Sequence, residues 1–193
     1  MAITQAARGR PRDASIDERA LAATRALLTE QGFEATTVQA VAARAGLHAS
    51  ALYRRWPSRL QLITAAVSPS LQKIEVPPTG DLRRDVRRFI RTYLAAFRDP
   101  AARAASAGLL VTFGAGSEAE GVDLLSLSTR PQFAAILRAA PRSDVDPRLD
   151  PDDVFDVLLG AMLARTVVPP VAARSRPIES LVDLTVRMLR RDP

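Results

Sequence analysis

The sequence predicts an all-α fold, because apolar residues recur at spacings of three and four along most of the chain. No stretch of strand length alternates valine, isoleucine, tyrosine or phenylalanine with polar residues. Of the 193 residues, 47% are hydrophobic, which is sufficient for a buried core. We therefore expect one ordinary helical domain, or a small helical domain joined to a larger one.

The composition excludes several classes of function. The chain has no cysteine and a single histidine, His48, so thiolate metal sites and cysteine nucleophiles are excluded and a histidine-based triad is disfavoured. No run approaches the roughly 18 consecutive apolar residues of a membrane span, and the N-terminal residues MAITQAARGRPRD lack an apolar signal core. We predict a cytoplasmic protein without cofactor, metal or membrane partner.

Positive charge is concentrated in the N-terminal third. The net charge is +6, and residues 1–66 hold nine arginines against five acidic residues. Residues 67–193 hold 18 basic against 16 acidic residues. All but one of the 27 basic residues are arginine, a side chain whose planar fork suits phosphate groups.

Two helices are predicted before residue 46. The first spans about residues 15–31, with a capping-box pattern at Ser15 and a stop at Gly32. Thr36 or Thr37 caps the second, and the capping-box pattern favours Thr36. Gly46 then ends this short helix.

A third helix is predicted within two or three residues of Gly46, a connection that suits the steep crossing of a helix-turn-helix. On a helical wheel, Ser50 and Arg54 point away from the apolar Leu52 and Trp56. The exposed side of this helix is therefore small at its start and cationic at its end.

Proline and serine mark the next boundaries. Pro57 ends the third helix, and Ser58 caps a fourth that Pro69 kinks or ends. The proline-rich segment 68–81 is the expected hinge to the rest of the chain. Further helices are predicted at about residues 82–97, 101–112, 130–140, 151–168 and 178–191.

The exposed side of the third helix is the candidate DNA-binding surface, because short side chains let a helix backbone approach base edges in the major groove. Hydroxyl groups and arginines nearby can contact phosphates. Each residue has a plainer alternative: Thr37 can be a cap, His48 can simply begin the helix, and the arginines can be solvated. The candidate DNA-contacting residues are Thr37, Gln39, His48, Ala49, Ser50, Ala51, Tyr53, Arg54, Arg55 and Arg59.

The stretch GFEATTVQAVAARAGLHASALYRRWPSRLQLI resembles the N-terminal signature of the TetR/AcrR family of transcriptional repressors, over about residues 13–65. The resemblance implies an all-helical homodimer that binds a double-stranded DNA operator and is released by a small-molecule effector. It implies a three-helix DNA-binding domain at 13–66 and a larger effector-binding and dimerisation domain at 67–193, after a basic arm at 1–12. By position, it implies phosphate contacts from Thr37, Tyr53 and Arg59 and base-facing positions for Gln39, His48, Ala49, Ser50 and Ala51.

The chain also departs from the family pattern. Ala49 and Ala51 stand where the family often has longer polar residues, so we expect readout to shift toward other side chains and DNA shape. The segment RGRPR at 8–12 resembles the minor-groove core of an AT-hook, and the alternative is a disordered basic tail.

In the larger domain the resemblance implies an effector pocket and a dimer interface. An aromatic stripe at helical spacing is also typical of a core, and the last two helices can also pack within one chain. Arg87 or Arg91 can hold an anionic ligand, or they can belong to a solvated face. The candidate pocket residues are Phe89, Tyr93, Phe97, Phe113 and Met162, and the candidate interface residues are Phe155, Leu158, Leu159, Met162, Leu181, Leu184 and Leu189.

Two rival interpretations remain open from the residues alone. Gly114, Gly116 and Ala119 fit the glycine pattern of a dinucleotide-dependent enzyme, but no alternating series of strands and helices surrounds them, and a loop is the simpler interpretation. The second rival is a non-specific helical DNA-binding or adaptor protein. An operator-binding protein prefers one sequence strongly over random DNA, which separates the two.

Overall fold

The computed structural model describes residues 14–72, 74–114, 128–168 and 177–190. In these ranges the chain forms ten helices and no strand, which confirms the all-α prediction. Within the same ranges, no helix is long and apolar enough to cross a membrane. The helices are α1 Ala14–Glu30, α2 Gly32–Ala35, α3 Val38–Ala45, α4 Ala49–Tyr53, α5 Arg59–Gln72, α6 Leu82–Ala96, α7 Pro100–Gly114, α8 Arg130–Ala139, α9 Pro151–Val167 and α10 Ile178–Leu189.

The first helices form a small bundle around a core of aliphatic side chains. Leu27 of α1, Val41 of α3 and Leu52 of α4 are buried together with Leu62 of α5, and Trp56 packs partly buried against them. The small residues of this cluster let the short helices approach closely, so four- to eight-residue helices are held by packing rather than by intrinsic propensity.

Three local expectations are corrected in this bundle. Helix α1 begins at Ala14, so Ser15 lies in its first turn rather than before it, and a further short helix, α2, precedes α3. Thr37, not Thr36, caps α3, since its Oγ1 accepts a hydrogen bond from the amide of Ala40 at 3.1 Å. The buried Thr36 instead donates its hydroxyl to the carbonyl of Gly32, at 2.7 Å.

The segment 68–81, predicted as the hinge, connects the N-terminal helices to α6, and its first residues belong to α5. Helix α5 continues to Gln72 with Pro69 inside it, and Ile74 and Val76 are buried in the core of the C-terminal helices. The backbone amides of Thr79 and Gly80 donate to the buried carboxylate of Asp85, at 2.6 and 3.2 Å. The segment is therefore packed and hydrogen-bonded, because Ile74 and Val76, on either side of exposed Glu75, reach the core.

The C-terminal helices α6, α8, α9 and α10 enclose a second core. Phe133 of α8 lies between Phe89 of α6 and Phe155 of α9, with ring centroids 5.5 and 5.8 Å apart. Their planes are tilted by about 50°, an arrangement that aromatic pairs prefer over face-to-face stacking. Leu181 and Val186 of α10 close this core on α6.

Helix α7 joins the two parts through a third apolar cluster. Ala101, Ala102 and Ala105 of α7 are buried against Leu28 of α1 and Ile63 of α5. One turn further on α7, Gly108 lies directly against the ring of Phe33 in α2, and a Cβ at position 108 would overlap that ring. The absence of a side chain at 108 is therefore what allows α7 to lie on α2.

A polar cluster accompanies this junction. Arg25 of α1 pairs with Asp99, which precedes α7, at 2.7 Å, and it also donates to the carbonyl of Ala66 at 3.1 Å. The hydroxyl of Ser70 in α5 donates to the same Asp99 oxygen at 2.8 Å. Burial alone would raise the pKa of Asp99, but the hydrogen bonds from Ser70 and Arg25 outweigh it and hold that pKa below its ordinary value.

We predict that Gly108→Ala lowers the free energy of unfolding by about 1–3 kcal/mol, because the added methyl group must displace the buried Phe33 ring. Urea unfolding of the purified chain measures the change. The matched control is Gly160→Ala in α9, where the added Cβ meets no atom within 4 Å and the better helix former should stabilise by about 0.5–1 kcal/mol. A Gly108→Ala variant as stable as Gly160→Ala would contradict the close contact.

Candidate nucleic-acid interface

The turn between α3 and α4 is closed by backbone hydrogen bonds. Gly46 adopts a left-handed conformation at φ +63°, as its position after the helix predicts. The amide of Leu47 donates to the carbonyl of Ala42 at 2.9 Å, and the Leu47 side chain packs against the N-terminal core. The angle between the two helices is therefore fixed by Gly46 and Leu47 rather than by the polar surface residues.

Helix α4 is anchored by a single fully buried side chain. Leu52 is buried, and its carbonyl accepts from the amides of Arg55 and Trp56 at 2.9 and 2.8 Å. Ser50 and Tyr53 are exposed, and Ala51 is half-buried between them. The helix therefore presents its backbone, covered only by small side chains, at the surface of the bundle.

Helix α3 contributes an exposed side of its own. Gln39 and Ala43, one turn apart, are exposed, whereas Val38 and Val41 face the core. Thr37 accepts the capping hydrogen bond with its oxygen, which leaves its hydroxyl proton free to donate to an external acceptor. The capping role and a phosphate contact are thus compatible at this residue.

His48 occupies the N-cap position of α4 without serving as a cap. Its backbone is extended, at φ −84° and ψ 137°, and its side chain makes no capping hydrogen bond. The imidazole is exposed beside half-buried Ala49. His48 therefore begins the helix, as its plainer alternative has it, but its imidazole makes no capping hydrogen bond.

The three predicted arginines lie in different environments. Arg55 is largely buried and pairs with Asp17 of α1. Arg59 donates to the carbonyl of Thr36 at 2.9 Å and to the carbonyl of Phe33, with its guanidinium 4.5 Å from the centre of the Phe33 ring. Arg54 is exposed and, among the residues that the structure describes, has no ion-pair or hydrogen-bond partner for its side chain.

Sequence reasoning missed the ion pairs that brace this surface. Arg44 at the end of α3 forms a fork with both carboxylate oxygens of Glu30 in α1, at 2.6 Å each. The hydrogen bond from Arg44 lowers the pKa of Glu30. The partners of Arg44, Arg55 and Arg59 lie 14 or more residues away along the chain, so no local pattern indicates them.

The comparisons with known proteins identify the family. A family model described as "Bacterial regulatory proteins, tetR family" matches residues 20–66, and one described as "Tetracyclin repressor-like, C-terminal domain" matches residues 76–185. This chain belongs to the TetR family. It is a helix-turn-helix transcriptional regulator, from a family of DNA-binding regulators rather than enzymes.

Relatives of this TetR-family chain match it over most of its length. An uncharacterised helix-turn-helix transcriptional regulator of Mycobacterium tuberculosis, Rv1556, is 29% identical over 206 residues, covering 94% of this chain and 93% of its own. The transcriptional repressor KstR of Rhodococcus jostii is 28% identical over 181 residues, covering 91% of this chain and 82% of its own.

Solved structures share the fold of this TetR-family chain at low sequence identity. A TetR-family regulator of Haemophilus influenzae, HI0893, has a TM-score of 0.64 at 14% identity, covering 94% of this chain and 100% of that one. PfmR of Thermus thermophilus has a TM-score of 0.62 at 22% identity, covering 90% and 100%.

The dinucleotide-enzyme interpretation is not supported. The apolar run before Gly114 belongs to helix α7, where a dinucleotide-binding turn requires a strand. Gly116 and Ala119 lie outside the described residues, as does the arginine-rich arm at 8–12.

A cavity of about 260 Å³ lies between the C-terminal helices of this TetR-family chain. Three of the five predicted pocket residues, Tyr93, Phe97 and Phe113, line it. Phe89 and Met162 are fully buried in the C-terminal core and do not line the cavity. All five were selected as large apolar residues, and neither size nor helical periodicity separates a cavity wall from a filled core.

The seven predicted interface residues divide into exposed, half-buried and buried side chains. Leu184 is 56% exposed, whereas Leu159 is half-buried and lines the cavity. The other five are buried within a single chain, and so they have almost no surface left for a partner: Phe155, Leu158, Met162, Leu181 and Leu189. The exposed apolar side chains of α9 and α10 are Val157, Leu184 and Met188, with Val168 directly after α9.

We predict that Arg54→Ala and Arg59→Ala separate DNA affinity from stability. Arg54→Ala should weaken binding to all DNA and reduce the salt slope by about one, with the unfolding free energy within about 0.5 kcal/mol of the wild type. Arg59→Ala should lower the unfolding free energy by about 1–3 kcal/mol, because the carbonyl of Thr36 loses its side-chain donor and the carbonyl of Phe33 keeps only the amide of Thr36. Urea unfolding and DNA binding at several salt concentrations measure both.

Arg59→Lys is the control for charge at position 59. A lysine keeps the positive charge but cannot bond both carbonyls with a planar fork, so it should restore little of the lost stability. Wild-type stability in Arg59→Lys would show that the carbonyl contacts do not hold the helix-turn-helix.

Proposed function

We propose that this chain is a homodimeric repressor that binds a palindromic operator and is released from it by a small-molecule effector. The observation that carries the proposal is α4, a recognition helix on which exposed Ser50 lies between half-buried Ala49 and Ala51, with buried Leu52 on the opposite side. The similarity to KstR, which is named as a repressor, supports the direction of regulation.

The exposed residues divide by the chemistry that each offers to DNA. Gln39 and His48 have side chains long enough to reach base edges, and Ser50 lets the α4 backbone approach the major groove. We assign phosphate contacts to the hydroxyls of Thr37 and Tyr53 and to the guanidinium of Arg54. Ala49 and Ala51 allow close approach, while Arg55 and Arg59 position the helices from within.

The exposed apolar side chains of α9 and α10 support dimerisation. Val157 of α9 is 59% exposed, and Leu184 and Met188 of α10 are 56% and 37% exposed. Isolated exposed apolar residues are common, but a group on adjacent helices favours a partner surface. Two recognition helices one DNA turn apart also bury enough surface for specific affinity, which one five-residue helix does not.

Helix α7 supplies a physical connection from the cavity to the start of α3. Its residues Leu109 and Phe113 line the cavity, and Gly108 on the same helix lies against Phe33. The carbonyl of Phe33 accepts from Arg59, which also bonds Thr36, the residue before the cap of α3. An effector weakens DNA binding through this connection only if it binds the two arrangements of α7 with different affinity.

The rival function is non-specific DNA binding without an operator. A compacting protein barely discriminates between sequences, whereas an operator-binding regulator prefers its site by a factor of about 10³ or more at physiological salt. The relatives named as transcriptional regulators and repressors favour the specific function.

We predict that selection from random DNA enriches a palindrome with half-sites about one helical turn apart. Ser50→Glu should abolish the enrichment, because a carboxylate on α4 faces the phosphates and base acceptors of the groove. The matched control is Thr29→Glu on the exposed side of α1, which adds the same charge away from α4 and should leave the selected palindrome unchanged. Enrichment of no sequence by the wild type would favour the non-specific rival.

We predict that Leu184→Glu combined with Met188→Glu converts the dimer to a monomer, because four charges would be buried across a two-fold interface. Light scattering after size-exclusion chromatography measures the mass. Leu149→Glu is the control, since Leu149 is comparably exposed but lies in the loop before α9. A double variant that is still a dimer, with unchanged stability, would exclude this surface as the dimer interface.

A further inference from the structure

We infer that the cavity takes an uncharged, largely apolar ligand of one or two rings that forms a hydrogen bond with Thr129. This inference rests on the proposal that the cavity is the effector site, and it adds the chemical class of the effector. Four features of the cavity carry it: its apolar walls, its neutralised arginine, its unpartnered hydroxyl groups and its size.

The cavity walls are mostly apolar and come from several elements. Helix α6 contributes Tyr93, and Phe97 follows directly after it; α7 contributes Leu109 and Phe113, and α9 contributes Phe155 and Leu163. Walls of this kind favour binding by the removal of apolar surface from water. A ligand therefore gains most of its affinity from hydrophobic groups.

The only charged residue among the described residues of the cavity wall is already neutralised. Arg130 pairs with Asp152 at 2.9 Å and with Asp156 at 2.6 Å, and its guanidinium lies 4.7 Å from the centre of the Phe155 ring. The two carboxylates carry two negative charges against the single positive charge of the guanidinium. An anionic ligand at Arg130 would therefore have to compete with two resident anions, while a neutral ligand would not.

The arginines that the sequence offered for an anionic ligand lie elsewhere. Arg87 forms a fork with both carboxylate oxygens of Glu179, at 2.8 and 2.7 Å. Arg91 is exposed, and neither residue lines the cavity. No second cation among the described residues of the wall is available to replace Arg130 as an anion partner.

Two hydroxyl groups of the wall, on Thr129 and Tyr93, have no hydrogen-bond partner among the described residues. Thr129 is 7% exposed, and its buried Oγ1 has no hydrogen-bond partner among the residues that the structure describes. It occupies the N-cap position of α8 but makes no capping bond with its side chain. Tyr93 is also buried, its hydroxyl has no partner among the described residues, and burial raises its pKa, so it stays a neutral donor and acceptor.

The unpartnered Thr129 hydroxyl distinguishes this cavity from a packing defect. A buried polar atom without a partner is destabilising, and native proteins retain few of them. A ligand that supplies a hydrogen-bond donor or acceptor to Thr129 relieves that cost and is favoured over a purely apolar one. At about 260 Å³ the cavity lies near the lower limit for ligand sites, which restricts the ligand to about one or two rings.

A matched pair of fluorescent probes tests the charge and polarity of the ligand. 1-Naphthylamine is neutral and has two fused rings with one amino donor, and 8-amino-1-naphthalenesulfonate is the same frame with a sulfonate. In titrations of the wild-type chain without DNA, the neutral probe should bind at least about tenfold more tightly, because the sulfonate would leave water for apolar walls whose one described cation, Arg130, is already paired. Equal or weaker binding of the neutral probe, or binding of neither probe, overturns the inference.

Three variants locate the effect in the cavity. Thr129→Val should weaken the neutral probe roughly two- to tenfold, the range of one lost hydrogen bond. Thr64→Val is the matched control, because the Thr64 hydroxyl is also buried and unpartnered but does not line the cavity. Leu163→Trp adds bulk to the wall and should abolish the signal. An unchanged affinity in Thr129→Val, or in Leu163→Trp, contradicts the assignment.

A further variant tests the role of the two carboxylates. Asp152→Asn combined with Asp156→Asn leaves Arg130 unpaired, and both aspartates are exposed, so the fold should tolerate the change. The sulfonate probe should then gain about tenfold relative to the neutral one; no gain contradicts the neutralisation argument. Because these titrations contain no DNA, their failure overturns the ligand class, whereas failure of operator selection overturns the proposed function.

Discussion

The contact between Gly108 and Phe33 is the constraint on which the arrangement of this protein depends. Without a side chain at 108, α7 lies directly on the Phe33 ring and buries it. Arg59 then donates hydrogen bonds to the carbonyls of Phe33 and Thr36. The next residue, Thr37, caps α3. One close packing contact thus sets the position of the helix-turn-helix relative to the C-terminal helices.

The arginines of the N-terminal bundle illustrate how similar residues acquire different roles. Arg59 and Arg55 are held by partners within the chain, whereas Arg54 extends into solvent. Arginine suits the inner role because its planar fork satisfies two carbonyls at once, which a lysine does not. The same arrangement recurs at the cavity, where Arg130 is held between Asp152 and Asp156. Basic composition therefore overstates the charge that is free to bind a partner.

Local signals predicted the helices well, and contacts between distant residues escaped them. Gly46 ends a short helix and Ser58 caps a longer one through contacts within a few residues, so the local sequence predicts both helix boundaries. The structure has both boundaries there. The proline-rich 68–81 segment was predicted as a hinge because composition does not reveal that Ile74 and Val76 reach the core. Gly108 has no sequence signature at all, since a glycine inside a helix is recognised only by what lies against it.

Sequence patterns predicted only part of the candidate site, because contacts between distant residues leave no local signal. The exposed residues of α3 and α4 follow from helical periodicity around Leu52, but the partners of Arg55 and Arg59 belong to other helices. Helix α9 is apolar on more than one side, so periodicity alone did not separate buried Phe155 from exposed Val157.

Hydrogen exchange of the wild type and the Gly108→Ala variant, read by mass spectrometry, tests most directly the claim that α7 positions the helix-turn-helix through Phe33. Local opening of the junction should accelerate exchange in α2 and α3, with α9 and α10 unchanged, because their core does not include Phe33. Faster exchange confined to α7 itself, with α2 and α3 as protected as in the wild type, would contradict the claim.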